Sequence, residues 1–148
     1  MDKKELISIL NEILVSSGFK KKGNYWFVNG AEITKMVNLQ KSQFSNSFYI
    51  NYGYILNAVP LNGLTMHIFS GLDSLDSNEN TRIKELLDLE SSITNESRVC
   101  ELKKILLEKL VDKISSVNTE ADVLKELKNQ MDLSTVPLIV RRHFYLPE

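Results

Sequence analysis

The 148-residue sequence has one cysteine, three prolines and two histidines. With Cys100 alone no intrachain disulfide can form, which fits a reducing compartment. His67 and His143 have no second His or Cys at metal-ligand spacing, so no zinc motif is present. No apolar run approaches the roughly 20 residues that span a bilayer. The N-terminal stretch MDKKELISILNEIL breaks its apolar residues with acids and lacks the core of a secretory leader. The expected location is the cytoplasm, with no membrane partner. The six glycines form no phosphate-cradling pattern, and no G-x-S-x-G elbow presents a nucleophilic serine. No catalytic residue, cofactor or metal is therefore assigned, and the chain reads more as a binder than as an enzyme. An excess of either charge is also missing. Eighteen Lys and Arg face nineteen acids, for a net charge of -1, so no global field collects nucleic acid. Nucleic acid is not an expected partner. The two halves differ mildly: residues 1–72 carry seven Lys against four acids, and the rest is acidic.

What is present suits one globular domain over residues 1–148. Hydrophobic residues make up 43% and charged residues 25%, and the length suffices to bury a core. Leu6, Leu10, Ile13 and Leu14 recur at helical spacing, which predicts a helix over 2–17. Asp2 and Glu5 resemble a capping box at its start. Gly18 is placed to end it in the left-handed conformation, letting Phe19 fold back on the last turn.

The stretch GFKKKGNYWFVNG then joins lysines to aromatics. Asn29-Gly30 is a strong signal for a two-residue hairpin of type I′. That register pairs Val28 with Ala31 and Trp26 with Ile33. It places Trp26, Val28, Ala31, Ile33, Val37 and Leu39 on one face, with Tyr25 and Phe27 on the other near Glu32 and Thr34. Lys20, Lys21 and Lys22 read as a polar connector. A third strand is expected over 48–56, where Gly53 suggests a bulge or close packing. A fourth is expected in LTMHIFS at 64–70, with His67 in mid-strand.

After residue 71 the period turns helical. A short helix is expected at roughly 80–90 and a long one over 96–116 with the stripe Val99, Leu102, Leu106, Leu110 and Ile114. A further helix at roughly 120–131 opens on the capping box Thr119 and Asp122. Pro137 reads as the end of the helical region, and PLIVRRHFYLPE as an edge strand or docked tail. Asp73, Asp76 and Glu79 lack the spacing of a calcium loop and read as a solvated turn. Cys100 reads as a structural, at least half-buried thiol. Together these elements predict an α+β fold: an antiparallel sheet of four or five strands packed against an N-terminal helix and C-terminal helices.

GFKKKGNYWF, NLQKSQFSNSFYINYG and HIFSGLDSL, in that order, resemble the uncharacterised bacterial family known as domain of unknown function four-three-zero-four. The resemblance covers roughly residues 5–75 and rests on Gly18, Phe19, Gly23, Trp26, Gln40, Lys41, Ser42, Asn51, Gly53 and His67. It implies no catalytic residues. Families of this size and architecture often serve as immunity proteins beside bacterial polymorphic toxins. The expected function is accordingly non-enzymatic protein binding, as an immunity protein that neutralises a cognate toxin. Tyr25, Phe27 and Glu32 are the candidate contacts. The alternative is a small-molecule-binding protein or an enzyme that uses the polar end of the sheet, with Gln40, Lys41, Asn51 and His67 as its pocket. A homodimer through the sheet edge or the long helix is also compatible with the sequence.

Overall fold

The computed structural model describes residues 1–130 and 132–148. Helix α1 (Lys3–Ser16) opens on the Asp2–Glu5 capping box. It closes as a Schellman turn: Phe19 N–H donates to Leu14 O and Gly18 N–H to Val15 O, with Gly18 at a φ of 96°. Five antiparallel strands follow in the order β1 (Lys20–Lys22), β2 (Tyr25–Asn29), β3 (Ile33–Lys41), β4 (Phe48–Leu56) and β5 (Ile68–Gly71), each paired with the next. Helix α2 (Ser77–Leu87) then leads to α3 (Asn95–Ile105). A π-helical segment (Leu106–Val111) and the last turn α4 (Asp112–Ser115) continue α3 without a break. Helices α5 (Glu120–Lys128) and α6 (Leu138–His143) complete the chain. The expected α+β architecture is what the chain adopts.

Three local expectations are corrected. The three lysines form the edge strand β1 and turn into β2 through Gly23-Asn24, with Gly23 at a φ of 62°. The β2–β3 hairpin closes on a wider loop, with Asn29 opposite Thr34 and Trp26 opposite Val37. The slip from the expected register is four residues, an even number, so the same side chains still share a face. Ala31 alone leaves that face, for the exposed loop. Asn57, far along the chain, holds the loop open. Its Nδ2 donates to Gly30 O at 2.9 Å, its Oδ1 accepts from Thr34 Oγ1 at 2.9 Å, and its N–H donates to Glu32 O at 3.0 Å. The two-residue turn with positive φ at both positions is instead Asn62-Gly63, at 49° and 86°, closed by Leu64 N–H to Leu61 O. Finally, Pro137 does not end the helical region. It is the N-cap of α6, whose Val140 is fully buried.

All the helices lie on one side of the sheet. Trp26, Val37, Ile50 and Phe48 pack with Leu6, Leu10 and Leu14 of α1, Leu86 of α2, Leu102, and Leu106 and Leu110 of the π segment. Ile33, Tyr54, Leu56 and Ile68 form a second cluster with Val123, Leu127, Val136 and Val140. By register, every strand residue named here points to the same face. The π segment follows from the stripe beneath it. Leu102, Leu106, Leu110 and Ile114 are spaced by four throughout, and four residues overshoot an α-helical turn by about 40°. A wider turn in the middle keeps all four buried.

A buried cation staples α2 to α3. Arg98 is 1% exposed. Its Nη1 donates to Leu86 O at 2.6 Å and Asp88 O at 3.0 Å, and its Nη2 to Ser91 Oγ at 2.9 Å. Leu86 O is a carbonyl that α2 leaves open at its C-terminus and Asp88 is its C-cap, a place where a cation is favoured. Burial pulls the Arg98 pKa below the usual guanidinium value, and the charge of Asp88 partly offsets this.

Candidate functional site

The face of the sheet that no helix covers is built from cross-strand rows. Lys20, Phe27, Met36, Gly53 and Phe69 stand side by side across the five strands. Lys22, Tyr25, Asn38, Asn51 and Gly71 make the next row, and Gln40 and Tyr49 the one after on β3 and β4. Tyr25 and Phe27 are partly exposed, with ring centroids 6.2 Å apart and planes tilted by 50°. Tyr49 and Phe69 expose 51% and 58% of their surfaces. Between these aromatic margins lies an amide floor. Asn51 is buried and its Nδ2 donates to Gln40 Oε1 at 2.9 Å, while Asn38 Oδ1 is shielded and has no partner among the described residues. The chain has nineteen acids. Register places none of them on this face, and among the described strand residues its charges are Lys20 and Lys22.

The sequence-derived groupings are only partly kept. Tyr25 and Phe27 share the open face, as expected. Glu32 does not: it sits in the β2–β3 loop, where its carboxylate accepts the Glu120 N–H at 3.3 Å and caps α5. It was placed opposite Phe27 only by the tighter hairpin register. Gln40 and Asn51 are hydrogen-bonded neighbours. Lys41 ends β3 at an exposed position, and its register partner Phe48 points to the covered face. His67 does not join them. It lies just before β5 and is 1% exposed. Its Nδ1 accepts the Leu56 N–H at 2.9 Å, and Nε2 lies 3.0 Å from Pro60 O. Leu56 is five residues beyond Asn51, about 17 Å along the strand. His67 therefore staples the β4–β5 connection and adds nothing to a pocket at the other end. Cys100 is exposed on α3 rather than packed. Asp76 is the N-cap of α2, and Glu79 pairs with Lys109 at 3.1 Å, so the acidic turn is partly structural. Among the described residues no group of three His, Cys, Asp or Glu side chains could hold a metal ion.

A second concavity lies at the corner where β5 ends. This cleft of about 660 Å³ is framed by Ser47–Asn51 of the β4 region, by Gly71–Asp73, and by the inner side of α2. Sequence reasoning did not find it, because it arises from β5 stopping at Gly71 while β4 runs on.

The family model described as Domain of unknown function (DUF4304) matches residues 10–138. The chain belongs to this family. The match extends well past the stretch that carries the motif resemblance and reaches the start of α6. In this DUF4304 protein it therefore takes in every strand of the open face and both walls of the cleft. No curated protein and no solved structure matches the chain. No helix among the described residues is long and apolar enough to cross a membrane.

Proposed function

We propose that this DUF4304 chain is a non-enzymatic protein-binding domain that acts as an immunity protein, docking a cognate bacterial toxin on its open sheet face. The observation behind the reading is that face itself: partly exposed aromatics around an amide floor, left bare by helices that all pack on the opposite side. Aromatic side chains bring large contact area at low conformational cost, and interfaces are enriched in them. The exposed Gln40 amide at the end of this floor supplies directional hydrogen bonds to a partner. The lack of carboxylates sets the electrostatics. A partner that fits is neutral or acidic where it touches, since like charges across an interface repel.

The test begins with the tagged protein in its native cells and the protein that co-purifies in stoichiometric amount. If that protein is toxic when expressed alone, co-expression of this chain restores growth. Tyr25→Ala combined with Phe27→Ala weakens the complex by at least about tenfold, as expected for the loss of two aromatic contacts. Glu32→Gln leaves the affinity unchanged. Full affinity in the Tyr25/Phe27 double variant, with its fold intact by circular dichroism, sinks this reading.

A further inference from the structure

Two asparagines of this chain precede a glycine, Asn29 and Asn62. An asparagine in that setting can cyclise onto the following backbone nitrogen, because glycine has no side chain to hinder the approach. Exposure does not separate the two pairs, since Asn29, Gly30, Asn62 and Gly63 are all exposed. Hydrogen bonding does. Gly30 N–H donates to Ile33 O at 2.9 Å, and Gly30 O accepts from Asn57 Nδ2 at 2.9 Å. Asn29 ends β2 opposite Thr34, and its Oδ1 accepts from Thr34 Oγ1 at 3.3 Å. Swinging the Asn29 side chain onto Gly30 N therefore requires the hairpin end to open first. Asn62-Gly63 has no such ties. The Asn62 amide and the Gly63 N–H have no hydrogen-bond partner among the described residues, and nothing lies within 4 Å of where a Cβ would stand on Gly63. One backbone bond, Leu64 N–H to Leu61 O at 3.0 Å, closes the turn.

We propose that Asn62 is a site of spontaneous covalent modification, and that the fold keeps Asn29 from the same reaction. Gly63 N bonds to Asn62 Cγ, the Cγ–Nδ2 bond breaks, and ammonia leaves with the proton from Gly63 N. Water then opens the cyclic imide. Cleavage at the side-chain carbonyl gives aspartate. Cleavage at the main-chain carbonyl gives isoaspartate, whose linkage adds a methylene to the backbone. Either product puts a carboxylate in the β4–β5 connection. It falls between Pro60, whose carbonyl lies 3.0 Å from His67 Nε2, and Met66, which lies against Gly53 of β4. The proposal does not depend on what docks on the open face.

The test incubates the folded full chain in mildly alkaline buffer and follows both asparagines by peptide mapping with fragment-ion mass spectrometry. In the folded chain Asn62 is expected to convert at least about tenfold faster than Asn29, whereas in urea, where neither pair is restrained, the two should convert at similar rates. Asn57→Ala, which removes the amide that holds Gly30 O, should speed Asn29 conversion severalfold and leave Asn62 unchanged. The proposal is overturned if the two convert equally in the folded chain, if Asn29 converts first, or if Asn62 is inert when folded yet converts in urea. An Asn29 rate that Asn57→Ala leaves as slow as before would overturn the protection assigned to the β2–β3 loop.

Discussion

Tyr54 buries its ring in the second core cluster, yet its hydroxyl is enclosed with no hydrogen-bond partner among the described residues. Burial pushes its pKa well above the usual tyrosine range, and the nearby charge of Glu126 adds to this. Burial also raises Tyr52, with Lys113 opposing. A raised acid stays neutral in the folded state while the unfolded chain ionises. The stability it contributes is therefore intact below the ordinary tyrosine value of about 10 and lost as pH rises above it. Alkaline unfolding should begin near that pH, with phenolate absorbance appearing together with loss of helix. Tyr54→Phe removes an unmatched hydroxyl and the proton it releases. It should raise stability by about 1 kcal/mol in urea denaturation and shift the alkaline limit upward. At this scale the sequence was informative where the chemistry is local. Asp2 with Glu5, Thr119 with Asp122, and Gly18 with Phe19 all act within one turn of chain, and each is found where its spacing placed it. Arg98 was not legible. It lies among charged residues on α3, and only the fold shows that α2 ends against it.

Among the elements, β5 depends on a glycine of its neighbour. A Cβ built on Gly53 would stand 1.8 Å from Ile68 O and 2.6 Å from Met66 Sδ. The first contact is with backbone and cannot swing aside. Gly53→Ala should therefore cost about 3 kcal/mol or detach β5, read as a lower thermal midpoint with the amides of residues 68–71 losing exchange protection. The close packing was readable from a glycine inside a strand, because few other reasons put one there. Strand register was not. Asn29-Gly30 has the right residues for a tight turn, but Asn57 supplies hydrogen bonds that favour the wider loop, and it lies 27 residues from Gly30. The even slip kept the two faces correct, so Tyr25 and Phe27 stand on the face expected for them while Glu32, in the loop itself, does not. α6 was misread for a similar reason. Six residues hold a helix only because Val140 docks in a cluster made by distant parts of the chain.

Across the whole molecule, the covered face of the sheet is served by two unequal groups of helices. The first cluster is closed by α1 and by the continuous helix from Asn95 to Ser115, the second by helices of nine and six residues. Short helices draw their stability from packing rather than from their own turns. Native-state hydrogen exchange should show α5 and α6 opening about tenfold or more faster than β3 and β4. Uniform protection across both clusters would contradict this division. The open face and its aromatic margin were partly visible in the alternation of β2. The cleft was not, because it depends on the lengths of β4 and β5 relative to each other.

The edge strand β1 offers a last consequence. A sheet rim is a template, and a bare one invites a second copy to continue the ladder. Here the rim is Lys20, Lys21 and Lys22, all exposed. Two such rims laid together would set six lysines on adjacent strands about 4.8 Å apart, with like charges facing each other on each side of the sheet, a repulsion that the short three-residue ladder is poorly placed to offset. The lysines that lead into the aromatic face thus also keep the sheet finite. Neutralising them by acetylation would turn a guarded margin into one where fibrils could begin.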